Sequence, residues 1–108
     1  MNLDSIFSAL ADPTRRAILE RLSRGEAFVA ELAEPFDITP RGVSKHVAVL
    51  EAAGLVVRSR DAQRRPSQIC LAPLIEVDRW LGNYRQLWNN RFDRLDERLE
   101  ELQKGDKT

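Results

Sequence analysis

Among 108 residues the chain has one cysteine, Cys70, and one histidine, His46. One cysteine cannot close a disulfide within the chain, and one thiol with one imidazole falls short of the usual four-ligand metal site. No metal site is expected. No run of about 18 apolar residues occurs, so no segment reads as a membrane span. The opening Met1-Asn2-Leu3-Asp4 lacks both a basic start and an apolar stretch, and so carries no secretory signal. The expected location is therefore cytoplasmic. A nucleophile–base pair, a phosphate loop and a metal cluster are all missing, which argues against an enzyme. No cofactor is expected. Internal repeats and linkers are absent too, so residues 1–108 read as one domain.

Net charge is also lacking, since 17 Lys and Arg balance 17 Asp and Glu. The balance hides an uneven distribution. Residues 39–68 hold Arg41, Lys45, Arg58, Arg60, Arg64 and Arg65 against only Glu51 and Asp61. A chain that is neutral as a whole can still turn one basic face toward a polyanion.

Residues 3–11 read as a short helix with Leu3, Ile6, Phe7 and Leu10 at helical spacing. Asp12-Pro13 ends it and opens the next, with Asp12 as cap and Pro13 at the first helical position. That helix turns Ile18, Leu19 and Leu22 inward and stops at Gly25. Residues 27–34 read as a third helix with Val29, Leu32 and Ala33 inward, followed by a turn at Pro35-Phe36-Asp37. Thr39-Pro40 repeats the cap-and-proline start for a fourth helix to about residue 53, with Val43, Val47 and Leu50 inward and Gly54 at its end. Residues 55–60 and 68–71 alternate as strands around a polar loop, which makes a hairpin. Pro73 opens a long helix to about Gln103.

A short helix, a tight turn and a second helix make a helix-turn-helix unit, whose second helix enters the major groove. With Val43 at the centre of the buried face, Arg41, Lys45, Ala48 and Ala52 point away from the core and Ser44 flanks them. An ordinary solvated helix face would look similar, but its place straight after a short helix and turn favours DNA. The expected contacts on this helix are Thr39, Arg41, Gly42, Ser44, Lys45 and His46. The hairpin is then the wing, with Arg58 and Arg60 on one strand face and Arg64 and Arg65 at the tip, where arginines reach phosphates or a narrow minor groove. Expected architecture is mainly α with a small β-hairpin: a winged helix-turn-helix of five helices and a two-stranded wing. Residues 39–54 form the recognition helix, 55–71 the wing and 73–103 the long helix.

About thirty residues of helix span about 45 Å, more than a compact domain of this size needs. Trp80, Leu81, Tyr84, Leu87, Trp88, Phe92 and Leu95 are expected to pack on a second copy, joined by Leu3, Ile6, Phe7 and Leu10 of the first helix. The homodimer would hold two recognition helices one DNA turn apart, about 34 Å, on a palindromic double-stranded operator. The aromatic cluster fits an interface core or an apolar inducer site equally well, and the inducer is unknown. His46 reads as a domain-edge or phosphate contact, and Cys70 as a small half-buried residue. A winged-helix module that binds a protein and no longer binds DNA is the alternative function. The basic window speaks against it.

The residues also resemble a known family. Ala9-Leu-Ala-Asp-Pro-Thr-Arg-Arg-Ala-Ile-Leu-Glu-Arg-Leu22, Glu31-Leu-Ala33, Val43-Ser-Lys-His-Val47 and Leu50-Glu-Ala-Ala-Gly-Leu-Val56 are similar, in that order, to the ArsR/SmtB repressors. The resemblance implies a winged-helix dimer built from the first and last helices, which represses its own or a neighbouring operon until an inducer binds. It also marks departures. Phe28 and Ala30 stand where metal-sensing members carry a Cys-x-Cys pair, the last helix has no histidine, and the wing lacks the usual tip glycine. The segment Trp80-Leu-x-x-Tyr-Arg-x-x-Trp88 resembles a subgroup that regulates neighbouring lipid-binding-type genes.

Overall fold

The computed structural model of the chain describes residues 2–58 and 66–105, except for the side chains of 92, 93, 96, 97, 100, 101 and 103–105. Five helices and a two-stranded antiparallel sheet follow one another: α1 (Leu3–Leu10), α2 (Pro13–Leu22), α3 (Val29–Ala33), α4 (Pro40–Ala52), β1 (Val56–Val57), β2 (Gln68–Ile69) and α5 (Ala72–Gly105). This is a winged helix-turn-helix, with α3 and α4 as the helix pair and β1–β2 as the stem of the wing. The chain divides into two units, one up to Glu76 and one from Val77 onward.

Local chemistry sets the helix starts. Asp12 Oδ1 accepts the Arg15 N–H at 3.1 Å and Thr39 Oγ1 accepts the Gly42 N–H at 3.1 Å, each satisfying an otherwise orphan donor. Each cap is followed by proline at the first helical position, where a missing N–H costs nothing. Asn2 caps α1 in the same way, its Oδ1 accepting the Asp4 N–H at 2.8 Å.

The end of α4 is as well defined. Gly54 takes φ +79°, a conformation side chains resist. Its N–H donates to Glu51 O at 2.9 Å and the Leu55 N–H to Leu50 O at 2.9 Å, the paired bonds of a Schellman cap. The chain thus leaves α4 directly into β1, with Leu55 fully buried.

The core of the first unit draws on every element in it: Ile6 from α1, Ile18 and Leu22 from α2, Leu32 from α3, Val43, Val47 and Leu50 from α4, with Leu55, and Pro73 at the start of α5. Three fully buried branched side chains on α4 contribute about 1.5–3 kcal/mol each, and they fix which face of α4 turns outward.

Two expectations need correction here. Ala27 is not helical. It bridges Ser67 antiparallel, exchanging backbone hydrogen bonds of 3.1 and 2.8 Å, and α3 starts two residues later. Glu31 closes that start by accepting the Phe28 N–H at 3.1 Å. Ile6, expected at an interface between copies, has 0 % of its surface exposed. It faces inward on α1 and belongs to the core of its own subunit. Leu3 and Leu10 are half-buried, and Phe7, at helical spacing from both, is exposed.

In the second unit α5 runs on to complete 34 residues, about 50 Å of helix. Trp80, Tyr84, Leu87, Leu95, Leu99 and Leu102 are exposed along it, while Leu81 and Trp88 are half-buried. The Trp80 and Tyr84 rings meet edge to face at 5.4 Å. Arg85 pairs with Asp78 two turns earlier. The Phe92 side chain lies outside the described residues. No helix among the described residues is long and apolar enough to cross a membrane.

Candidate nucleic-acid interface

The face of α4 opposite the buried stripe is formed by Arg41, Lys45, Ala48 and Ala52, all exposed. The 3.6-residue period dictates this once Val43, Val47 and Leu50 are inside. Two long cations near the N-terminal end of the helix thus project outward, with small side chains following them. Small residues let a helix approach the floor of a groove, and Arg or Lys there can donate to guanine edges or phosphate oxygens.

The remaining sequence-predicted residues of α4 divide between its two flanks. Thr39 is engaged as the cap, and Gly42 is half-buried beneath it. A Cβ on Gly42 would meet Thr39 Oγ1 at 3.6 Å, an ordinary contact, so the cap does not require glycine there. On one flank, half-buried Ser44 accepts a hydrogen bond of 3.1 Å from Arg58 Nη1. On the other, half-buried His46 turns toward α2, with Nδ1 3.5 Å from Arg15 Nη1. Arg60, Arg64 and Arg65 lie outside the described residues.

Arg15 is a structural residue beside this face that the sequence did not single out. Its Nε donates to Ala9 O at 2.7 Å and its Nη2 to Ser8 O at 3.0 Å, both at the carbonyl end of α1. Arg16 adds a third bond there, from Nη1 to Leu10 O at 2.8 Å. Orphan carbonyls at a helix C-terminus carry partial negative charge, and two adjacent guanidinium groups satisfy them. Arg15 therefore joins α1, α2 and the flank of α4. The Arg-Arg pair just after Asp12-Pro13-Thr14 was the only signal for this in the sequence. Asp12 sits in the same group, and its carboxyl is held below the usual carboxylate range. Its hydrogen bond from the Arg15 backbone N–H is the largest cause, opposed by burial and aided by the charges of Arg15 and His46.

The wing stem is tied on the far side as well. Gln68 Nε2 donates to Glu26 Oε2 at 2.8 Å, beside the Ala27–Ser67 bridge. Cys70 is half-buried, and its N–H donates to Leu55 O at 2.8 Å. Among the described residues, no three His, Cys, Asp or Glu side chains come together in a way that could hold a metal ion. An open groove of about 410 Å³ lies between α1 and the second half of α4, lined by Asp4, Ser5, Ser8, Ala9, Val49, Ala52 and Ala53.

A helix-turn-helix domain model matches residues 10–59, the span from the end of α1 to just past β1. The chain is 44 % identical over 98 residues to the HTH-type transcriptional regulator Rv2034 of Mycobacterium tuberculosis, covering 83 % of this chain and 92 % of that one. It is 29 % identical over 82 residues to the transcriptional repressor SdpR of Bacillus subtilis, covering 76 % and 91 %. A crystal structure of an ArsR family transcriptional regulator superposes with a TM-score of 0.71 at 44 % identity, covering 81 % of this chain and 96 % of that one.

Proposed function

The chain belongs to the ArsR family of winged helix-turn-helix transcriptional regulators, a family of DNA-binding proteins rather than enzymes, and from that premise we propose that it is a dimeric repressor of its own or a neighbouring operon. The observation that carries the reading is the outward face of α4. Arg41 and Lys45 stand exposed there because three fully buried residues hold the opposite face down. In this proposal α4 lies in the major groove, with Arg41 and Lys45 on bases or phosphates and the wing-tip arginines Arg64 and Arg65 on the flanking backbone.

Dimerisation is part of the proposal. The exposed Trp80, Tyr84 and Leu87, and further along α5 Leu95, Leu99 and Leu102, recur at steps of four and three, a stripe suited to another helix. Burying it against a second copy would remove Trp80, Tyr84, Leu87 and Leu95 from water together. A two-fold axis through that interface pairs the two α4 helices and calls for a palindromic operator. The releasing signal is proposed not to be a metal. One histidine and one cysteine leave few soft ligands, and Phe28 and Ala30 occupy the positions where metal-sensing relatives would carry thiols.

Fluorescence anisotropy with the DNA upstream of the protein's own gene, alongside sedimentation at micromolar concentration, tests both parts. The expected result is a two-fold species whose affinity falls steeply with salt. A lone subunit, or the same weak affinity for every duplex, would contradict the proposal.

A further inference from the structure

Arg58 stands among the expected DNA contacts, yet its guanidinium does not reach outward. It follows β1 at the base of the wing, with 20 % of its side chain exposed. Nη1 donates to Ser44 Oγ at 3.1 Å, and Nε lies 3.6 Å from Glu51 Oε2. Ser44 and Glu51 are seven residues apart, two turns of α4, so they stand one above the other on the same flank. One guanidinium thus spans two turns of the recognition helix from its base in the wing stem. Resting on the DNA-binding reading above, we infer that Arg58 is a positioning residue: it clamps the wing stem to α4 and is not itself a phosphate contact.

The chemistry of the contact favours this role. The charge of Arg58 is already faced by Glu51. Swinging the side chain to a phosphate would break the Ser44 bond and leave the Glu51 carboxylate without its cation beside a polyanion. A planar fork with donors in several directions suits a two-point clamp, which a lysine ammonium cannot reproduce. The clamp is needed because strands of two residues have little stiffness of their own. The β2 edge is held independently by the Ala27–Ser67 bridge and the Gln68–Glu26 bond. Arg58 supplies the matching hold on the β1 side.

The test compares Arg58→Lys, Arg58→Met and Ser44→Ala with wild type on one operator duplex over a series of salt concentrations. If Arg58 touched a phosphate directly, Arg58→Met would lower the log–log salt slope by about 0.9, whereas removing a clamp leaves the slope unchanged. The clamp predicts at least about threefold weaker binding for both Arg58 variants, and a double Arg58→Met/Ser44→Ala variant no weaker than the worse single one. Arg58→Lys binding like wild type, or a slope reduced in Arg58→Met, overturns the inference. Amide exchange in the free protein gives a readout that needs no DNA. The Cys70 N–H, which closes the stem on Leu55, is expected to exchange faster in Arg58→Met and Ser44→Ala, while Val47 in α4 is unchanged. Equal Cys70 exchange in all variants overturns the clamp even if no duplex binds. Failure of the wild type to bind DNA would instead count against the proposed function.

Discussion

Replacing Arg15 by methionine is expected to cost the protein a substantial part of its stability, although the residue is on no functional face. Methionine keeps most of the apolar stem, so the change isolates the guanidinium. The hydrogen bonds to two carbonyls of α1 disappear, together with the longer 3.5 Å contact to His46 Nδ1. The one to Ala9 O, at 2.7 Å, matters more, because Ala9 is buried and its carbonyl loses its side-chain donor. The one to Ser8 O, at 3.0 Å, matters less, because Ser8 is exposed and its carbonyl keeps the Ala11 N–H at 3.2 Å. Hydrogen bonds to charged groups contribute about 1.5–3 kcal/mol each, so a full value for the first and a fraction for the second gives a loss of about 2–3 kcal/mol. Urea denaturation at a fixed protomer concentration measures it, since dimerisation would make stability depend on concentration. Arg15→Lys is expected to fall between, because one ammonium cannot serve both carbonyls and His46. A loss below about 0.5 kcal/mol in Arg15→Met, the range of ordinary surface changes, would refute the capping role.

Leu50→Ala removes a fully buried side chain from the heart of α4 and is expected to destabilise by about 2–5 kcal/mol in the same denaturation assay. Arg41→Ala and Lys45→Ala are expected to leave the unfolding curve in place while weakening operator binding by about 1–3 kcal/mol each where they contact bases, read by anisotropy. Asp12 titrates below its ordinary value of 3.8 in the folded protein, so its capping contribution is complete above that value and fades as pH falls through the lowered one. The margin of wild type over Asp12→Asn in thermal unfolding is therefore expected to hold steady from neutral pH to about 4 and shrink below it; a margin that grows on acidification would reverse the assignment.

The features legible in the sequence were those fixed by neighbours along the chain. Asp12-Pro13 and Thr39-Pro40 announce helix starts, and Gly54 a helix end, because caps act over three or four residues. The buried stripe Val43, Val47 and Leu50 follows from helical period alone, and it is what turns Arg41 and Lys45 outward. Features that join distant segments were not legible. Ala27 looked helical because its partner Ser67 is 40 residues away in the chain. Ile6 looked like an interface residue because α1 is apolar on more than one side, and only packing decides that Ile6 and Ala9 go in while Phe7 stays out. The Arg15 bonds at the end of α1 and the Arg58 bond to Ser44 are tertiary, and spacing carries no sign of them.

The central claim is that two copies of α4 read one duplex through Arg41 and Lys45. A hydroxyl-radical footprint of the DNA upstream of the gene, made with wild type and with Arg41→Ala/Lys45→Ala, tests it most directly. Two protected half-sites with centres about one helical turn apart, neither of them protected by the double variant, are the predicted result. Absence of protection, or an identical footprint from the double variant, would contradict it.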